Sequence, residues 1–299
     1  MRKFHIFSSF ILKIFAILFM TLDHVGIYLR MSYPYNNNVN ILVTIFRSFG
    51  RLALPLFIFM IVEGVIHTRS FKKYVLKLGI LAILISIVIA IVTYGNFGVD
   101  SEFLQGAGNI FLDLILVAVS CYLLKQENQY LKILILLPIV ISIISFCVKC
   151  YEHSLAGTVY WYPTFLYLQG DWFSVLLGIG FYLSYQIADK YKKMMSETKG
   201  INPAYWEVNG NSRILVSLLQ IVVLAFLSIF LYIFKYIWPS GVYWDIEIQL
   251  FAIISGAFIL CYNGQRGYNA KWFRVMSYLY YPLHLGIIIL LFVIIHGGA

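Results

Sequence analysis

Charge is what this chain has least of. Lys, Arg, Asp and Glu make up 12% of its 299 residues, against about 25% in ordinary soluble domains, and that excludes a water-soluble globule. Acidic residues are the scarcer kind, 13 against 22 basic, leaving a net charge of +9. Cysteine is limited to four. Cys147 and Cys150 share a helical face, but no second pair and no histidine stands ready to complete a metal or redox site. The four therefore read as packing thiols, and no metal is expected. An internal repeat, a Gly/Ser linker and a charge block are all missing, which argues for one integral unit over two domains. The start Met1-Arg2-Lys3 has the basic head of a signal peptide, yet no small-x-small cleavage site follows and the apolar run ends in Asp23-His24. An uncleaved first span is expected.

What is abundant is hydrocarbon: 61% hydrophobic residues and a mean hydropathy of +0.84. The length admits about nine spans of ~20 residues. They are expected near 7–29, 41–66, 76–96, 107–124, 131–149, 167–188, 213–237, 246–263 and 275–296, with a cytoplasmic loop at 189–212. The fold class is all-α, a polytopic transmembrane helix bundle. With the N-terminus in the cytoplasm, the inner side collects Arg2, Lys3, Arg69, Lys72, Lys73, Lys77, Lys125, Lys132, Lys190, Lys192, Lys193, Lys199, Arg213, Arg266, Lys271 and Arg274. The outer side holds Asp100, Glu102, Glu152, Asp171, Asp245 and Glu247. This is the positive-inside pattern. The basic excess thus reports topology and a lipid bilayer partner, with no nucleic acid implied, and leaves room for a soluble anion at the inner face. An outer stretch, 151–170, is rich in Tyr160, Trp161, Tyr162 and Tyr167, as suits a lid at the bilayer interface.

Several ionisable groups interrupt the apolar runs. Each costs roughly 2.5–3.5 kcal/mol at mid-depth, so they must face each other, water or a substrate. Asp23 and His24 lie in the first span and point ~100° apart. His24 suits a general base, since an ordinary histidine titrates near ~6.5; the plain alternative is a polar pair at the water interface. In the second span Arg47 and Arg51 share a face, as do Glu63 and His67. Gly50 permits close helix approach, and Pro55 frees a carbonyl. Arg51 needs a carboxylate, carbonyls or a ligand; Asp23 is one candidate partner, and an ion pair that merely fixes packing is the competing reading. Arg69, Lys72, Lys73 and Lys77 form a basic patch at the inner end of this span. Towards the C-terminus come a glycine-flanked turn, Tyr262 to Gly267, and His284 with Tyr281 and Pro282 inside the last span.

In these residues the chain resembles the TraX family, named for the F-pilin N-acetylase of conjugative plasmids. The resemblance rests on Asp23-His24-x-Gly26, on Gly50-Arg51-Leu52-Ala53-Leu54-Pro55 followed by Glu63-Gly64, and on Thr68-Arg69 with Lys73-Tyr74. Asn109-Ile110-Phe111, Tyr262-Asn263-Gly264 with Arg266-Gly267, and Tyr281-Pro282-x-His284 follow in the same order. Leu112-Asp113 and Gln169-Gly170-Asp171-Trp172 depart from the family pattern.

The resemblance implies a membrane acyltransferase of the bacterial cytoplasmic membrane. Such an enzyme takes acetyl-CoA or another acyl-CoA from the cytoplasm and modifies an amine or hydroxyl of an exported peptide or glycan. It also implies a catalytic set of His24, Asp23, Arg51, Glu63 and His284. Coenzyme contacts would come from Lys72, Lys73, Lys77, Asn263, Arg266, Lys271 and Tyr281. A proton-coupled transporter and a non-catalytic pilus or envelope assembly factor are the rival readings of the same intramembrane charges.

Overall fold

Backbone groups in hydrocarbon must satisfy each other, so long apolar runs fold as helices. The computed structural model of the chain describes residues 6–33, 35–94, 108–155, 159, 161–202, 204–207, 211–237 and 246–296. Met1, Arg2, Lys3, Asp100, Glu102, Tyr160 and Asp245, assigned positions above, lie outside them. Regular structure among the described residues is helical, apart from one isolated parallel bridge between Phe7 and Tyr262. The helices are α1 (Ser9–Ser32), α2 (Asn37–Gly50), α3 (Ala53–His67), α4 (Phe71–Tyr94), α5 (Ile110–Lys125), α6 (Gln129–Ile133), α7 (Leu136–Leu155) and α8 (Asp171–Lys199). After them come α9 (Ala204–Glu207), α10 (Asn211–Ile237), α11 (Ile246–Gln249), α12 (Ser255–Leu260) and α13 (Lys271–His296). Among the described residues five stretches are long and apolar enough to cross a membrane: Ser9–Ser32, Asn37–His67, Phe71–Ile91, Gln129–His153 and Asn211–Ile237.

Three expected spans are interrupted. The stretch 41–66 is two helices, because Pro55 has no N–H to give the carbonyl of Arg51 and the chain turns at Arg51-Leu52. The stretch 131–149 divides between α6 and α7, and 246–263 passes through α11, a 3-10 turn at Leu250–Ile254 and α12. Residues 189–199 continue α8 instead of forming loop, and Gly200, at φ 63°, ends the helix in the left-handed conformation that glycine adopts freely.

Leu12, Leu56, Ile58, Val117, Phe173, Leu177, Phe181 and Leu224 form the buried centre, while Ile83, Val222, Phe226 and Leu290 face outward. Apolar surface inside and outside alike is what a bilayer solvent permits.

Cross-helix contacts define two ends. At the basic end Phe7 meets Cys261 and Tyr262, Lys125 reaches the Ile66 carbonyl, and Arg213 meets Glu63. At the capped end the segment 161–170 folds down among α4, α5 and α7. Between them α1 and α2 press together: a Cβ on Gly50 would stand 2.3 Å from Cβ of Asp23. That atom cannot swing away, since it is fixed to the α1 backbone. Gly50→Ala is expected to force α1 and α2 apart and destabilise the protein by about 1–3 kcal/mol. Thermal unfolding in detergent measures this, and an unchanged midpoint would refute the close contact.

Candidate functional site

The site starts from a backbone staple. The Phe7 N–H donates to the Cys261 carbonyl (3.0 Å) and the Asn263 N–H to the Phe7 carbonyl (2.9 Å). Ser9 and Phe10 then donate to the carbonyls of Gln265 (2.8 Å) and Arg266 (3.0 Å). Helices α1 and α13 consequently begin at one level, and His24 and His284 each lie roughly four turns along.

There the two imidazoles meet, with ring centres 4.9 Å apart at 69°. Nδ1 of His24 lies 2.8 Å from the Met20 carbonyl, and Nδ1 of His284 lies 2.9 Å from the Tyr280 carbonyl. A carbonyl only accepts, so both Nδ1 atoms carry protons. Nε2 of His284, 3.2 Å from Nδ1 of His24, is then the acceptor, sharing that proton with the Met20 carbonyl. Among the described residues the network leaves Nε2 of His24 with its lone pair uncommitted. Tyr280 stacks on His284 at 5.1 Å, and its hydroxyl donates to Thr21, whose own proton goes to the Ile17 carbonyl. Tyr281 packs edge-on against both imidazoles and against Phe111 of α5.

Asp23 and the arginines lie at the adjoining α1–α2 contact. Asp23 is paired with Arg47, Oδ1 to Nε 3.7 Å, and not with Arg51 as the sequence invited. Gly50 brings α2 onto Asp23 within that turn, and Arg47 crosses Gly26 there. Arg51 falls in the turn that follows; its Nε is buried and, among the described residues, has no hydrogen-bond partner. Oδ1 of Asp23 is likewise buried and accepts no hydrogen bond.

Glu63 sits apart from this group, more than three turns from Arg51. Arg213 grips it with both ends of the guanidinium, Nη1 to Oε1 and Nη2 to Oε2, each at 3.0 Å. Tyr185 donates to Oε1 and accepts from Arg213, whose guanidinium lies 4.5 Å over the Tyr262 ring. Nε2 of His67 is 3.6 Å from Oε2. The cluster ties α3, α8 and α10 to the Tyr262 turn. A carboxylate inside an apolar helix announces that a cation exists; the sequence names neither Arg213 nor Tyr185 as its neighbours.

The expected coenzyme residues divide. Lys72, Lys73 and Lys77 are exposed along the first turns of α4, Arg266 is exposed ahead of α13, and Lys271 is exposed at its first position. The Asn263 side chain closes its own turn by accepting the Gln265 N–H at 2.9 Å. Tyr281 belongs with the histidines. Of the cysteines, Cys121 and Cys150 are buried as packing thiols, while Cys147 faces outward.

A further buried network escaped the sequence. Asp113 accepts the N–H groups of Gln169 (2.6 Å) and Gly170 (3.1 Å). Asp171, at φ 48°, pairs with Lys149 at 2.6 Å and accepts from Ser145 at 2.7 Å. Asn109 donates to the Ala82 carbonyl and to Ser86, and its N–H to the Tyr167 carbonyl. Tyr167 is fully buried and donates to Glu152, while Trp161 stays exposed. The aromatic stretch expected at the interface is in these parts a plug anchored in the bundle.

A family model described as TraX protein matches residues 8–292, nearly the whole chain. A protein of Dichelobacter nodosus described as "Probable fimbrial assembly protein FimC, serogroup H1" is 38% identical over 72 residues. Those residues are 24% of this chain and 27% of that relative, so the match spans about a quarter of the relative's length. No solved structure matches the chain.

Arg213→Ala strips a buried carboxylate of its partner and is expected to destabilise by about 3–5 kcal/mol. Adding Glu63→Gln removes the stranded charge and should recover most of that loss. A double variant no more stable than Arg213→Ala alone, by thermal unfolding in detergent, would dissolve the pairing.

Proposed function

Because this chain belongs to the TraX family, we propose that it is an integral membrane acyltransferase, moving an acetyl group from cytoplasmic acetyl-CoA to an amine or hydroxyl of an exported acceptor. That it is a multi-pass protein of the cell membrane follows from its apolar helices and its family. The finer topology is part of the proposal. Nine passes, with the basic end in the cytoplasm, give a basic excess at every inner loop and would put the capped end outside. The acceptor class, a pilin-like peptide or an envelope glycan, draws support from the fimbrial-assembly description of the D. nodosus relative.

One observation carries the reading: a histidine pair among apolar helices whose hydrogen bonds, among the described residues, engage every ring nitrogen except Nε2 of His24. A neutral imidazole with a fixed tautomer and a free lone pair is what a general base requires. In the proposed reaction that nitrogen takes the proton from the acceptor as its nitrogen or oxygen attacks the thioester carbonyl. The tetrahedral oxyanion is met by the unpartnered Nε–H of Arg51 or by the Tyr281 hydroxyl. Collapse breaks the carbon–sulfur bond, and His24 gives its proton to the departing thiolate. An acyl-histidine route would use the same nitrogen as nucleophile. His284 holds the His24 tautomer by accepting from Nδ1, and Asp23, paired with Arg47, keeps negative charge one residue away. Glu63, held by Arg213, anchors the basic end at a distance from the chemistry.

A second reading, a fimbrial assembly factor without catalysis, is favoured by the relative's description alone. The two separate in one assay. Purified protein in nanodiscs is given labelled acetyl-CoA and an envelope fraction, and acetylated products are identified by mass spectrometry. His24→Ala is expected to lower transfer by about 10²–10⁴-fold at unchanged thermal stability. Equal transfer by His24→Ala would overturn the assignment of the base, and no transfer by the wild-type chain would leave the assembly reading.

A further inference from the structure

A cleft of about 400 Å³ opens at the basic end, where α3 gives way to α4 and α5 finishes. Three cations line it: Arg69, Lys72 and Lys125. Among the described residues none of the three has a carboxylate within ion-pair distance; Lys125 reaches only the Ile66 carbonyl, at 3.4 Å. Three like charges around one concavity repel each other until an anion enters, and a ligand bearing several phosphate oxygens answers all three. The positive-inside rule accounts for cations near this surface but not for their convergence on a cleft.

The cleft has a second, independent property. Phe71 of α4 and Tyr122 of α5 line it as a parallel stack, ring centres 4.0 Å apart and 7° from coplanar. Tyr122 is 37% exposed, so part of the aromatic stack is open to the cleft beside the cations. A planar heterocycle gains from stacking there as bases do on aromatic side chains, and Arg69 adds a bidentate donor for phosphate. Lipid headgroups share the phosphate but bring no planar ring.

From the cations and the stack together we infer that this cleft binds the adenine nucleotide end of an acyl-CoA-type donor, the base against Phe71–Tyr122 and the phosphates among Arg69, Lys72 and Lys125. The inference rests on the transferase reading only for what is attached to the nucleotide. It brings in Arg69 and Lys125 beside Lys72. Lys73, Lys77, Arg266 and Lys271 do not line the cleft.

The probe is adenosine 3′,5′-bisphosphate, which carries the nucleotide and no thioester. It is titrated by calorimetry against the full chain in phosphatidylcholine nanodiscs, with and without phosphatidylglycerol. Saturable binding is expected in both. Arg69→Ala and Lys125→Ala should each weaken it by about tenfold or more, and Lys199→Ala, a cation away from the cleft, should leave it unchanged. Tyr122→Ala should weaken the bisphosphate but not inorganic pyrophosphate.

Absence of binding in either lipid overturns the inference. So does abolition by phosphatidylglycerol, which would assign the cations to lipid, or equal losses for Lys199→Ala. Thermal unfolding of each variant separates loss of the cleft from loss of the fold. Binding without any acetyl transfer would sink the transferase reading and leave this site standing. Transfer that the bisphosphate fails to compete would do the reverse.

Discussion

The carboxylate of Asp113 accepting two backbone amides is the constraint on which the rest of the bundle leans. Helix α5 is only 16 residues long, about 24 Å, short of the ~30 Å of hydrocarbon. Beside its start lies the irregular backbone of 167–170, which membrane proteins tolerate only where protein or trapped water satisfies it. Asp113 serves Gln169 and Gly170, Ser145 serves Leu168, Asn109 serves Phe111, and Lys149 serves the Leu168 carbonyl while neutralising Asp171. Asp171 sits at φ 48°, a left-handed angle that Asp adopts more readily than most side chains, and its carboxylate is held there by Lys149 and Ser145. This plug fixes the start of α5, and with it Phe111, the ring against which Tyr281 rests beside the two histidines.

Buried charges in the bundle are met unequally. Towards its ends two carboxylates are satisfied by the chain itself: Glu63 by Arg213 and Tyr185, Asp171 by Lys149 and Ser145. Near His24, Oδ1 of Asp23 meets Arg47 only at 3.7 Å, without a hydrogen bond. Nε2 of the His24 ring and Nε of Arg51 likewise lack hydrogen bonds among the described residues. A buried group left unmade is costly, so evolution retains such groups where something else completes them. The satisfied carboxylates are scaffold; the groups left without hydrogen bonds are those that the proposed transferase would use.

Much of this was legible in the residues, and what was not has a physical cause. Helical class and the sites of intramembrane charge follow from composition and the cost of burial, and His24, His284, Arg51 and Glu63 stand out for that reason. Their partners do not, because a buried charge demands compensation without stating who supplies it. Glu63 found Arg213, 150 positions on, through tertiary packing that no spacing encodes. Lys149 looked like the outer terminus of a span and lies in the interior, drawn there by Asp171. Proline did announce the break at Arg51-Leu52; the division of 246–263 into short pieces left no comparable mark.

The staple between Phe7 and the Tyr262 turn has an evolutionary corollary. Because two helices start from one anchored origin and must deliver their imidazoles to one depth, each keeps count for the other. A single residue inserted before either histidine would swing its ring by ~100° and carry it ~1.5 Å along the axis. Length variation among relatives should therefore be purged from 11–23 and 272–283, however freely side chains drift there, and chimaeras joining the front of one member to the back of another must preserve both tallies at once.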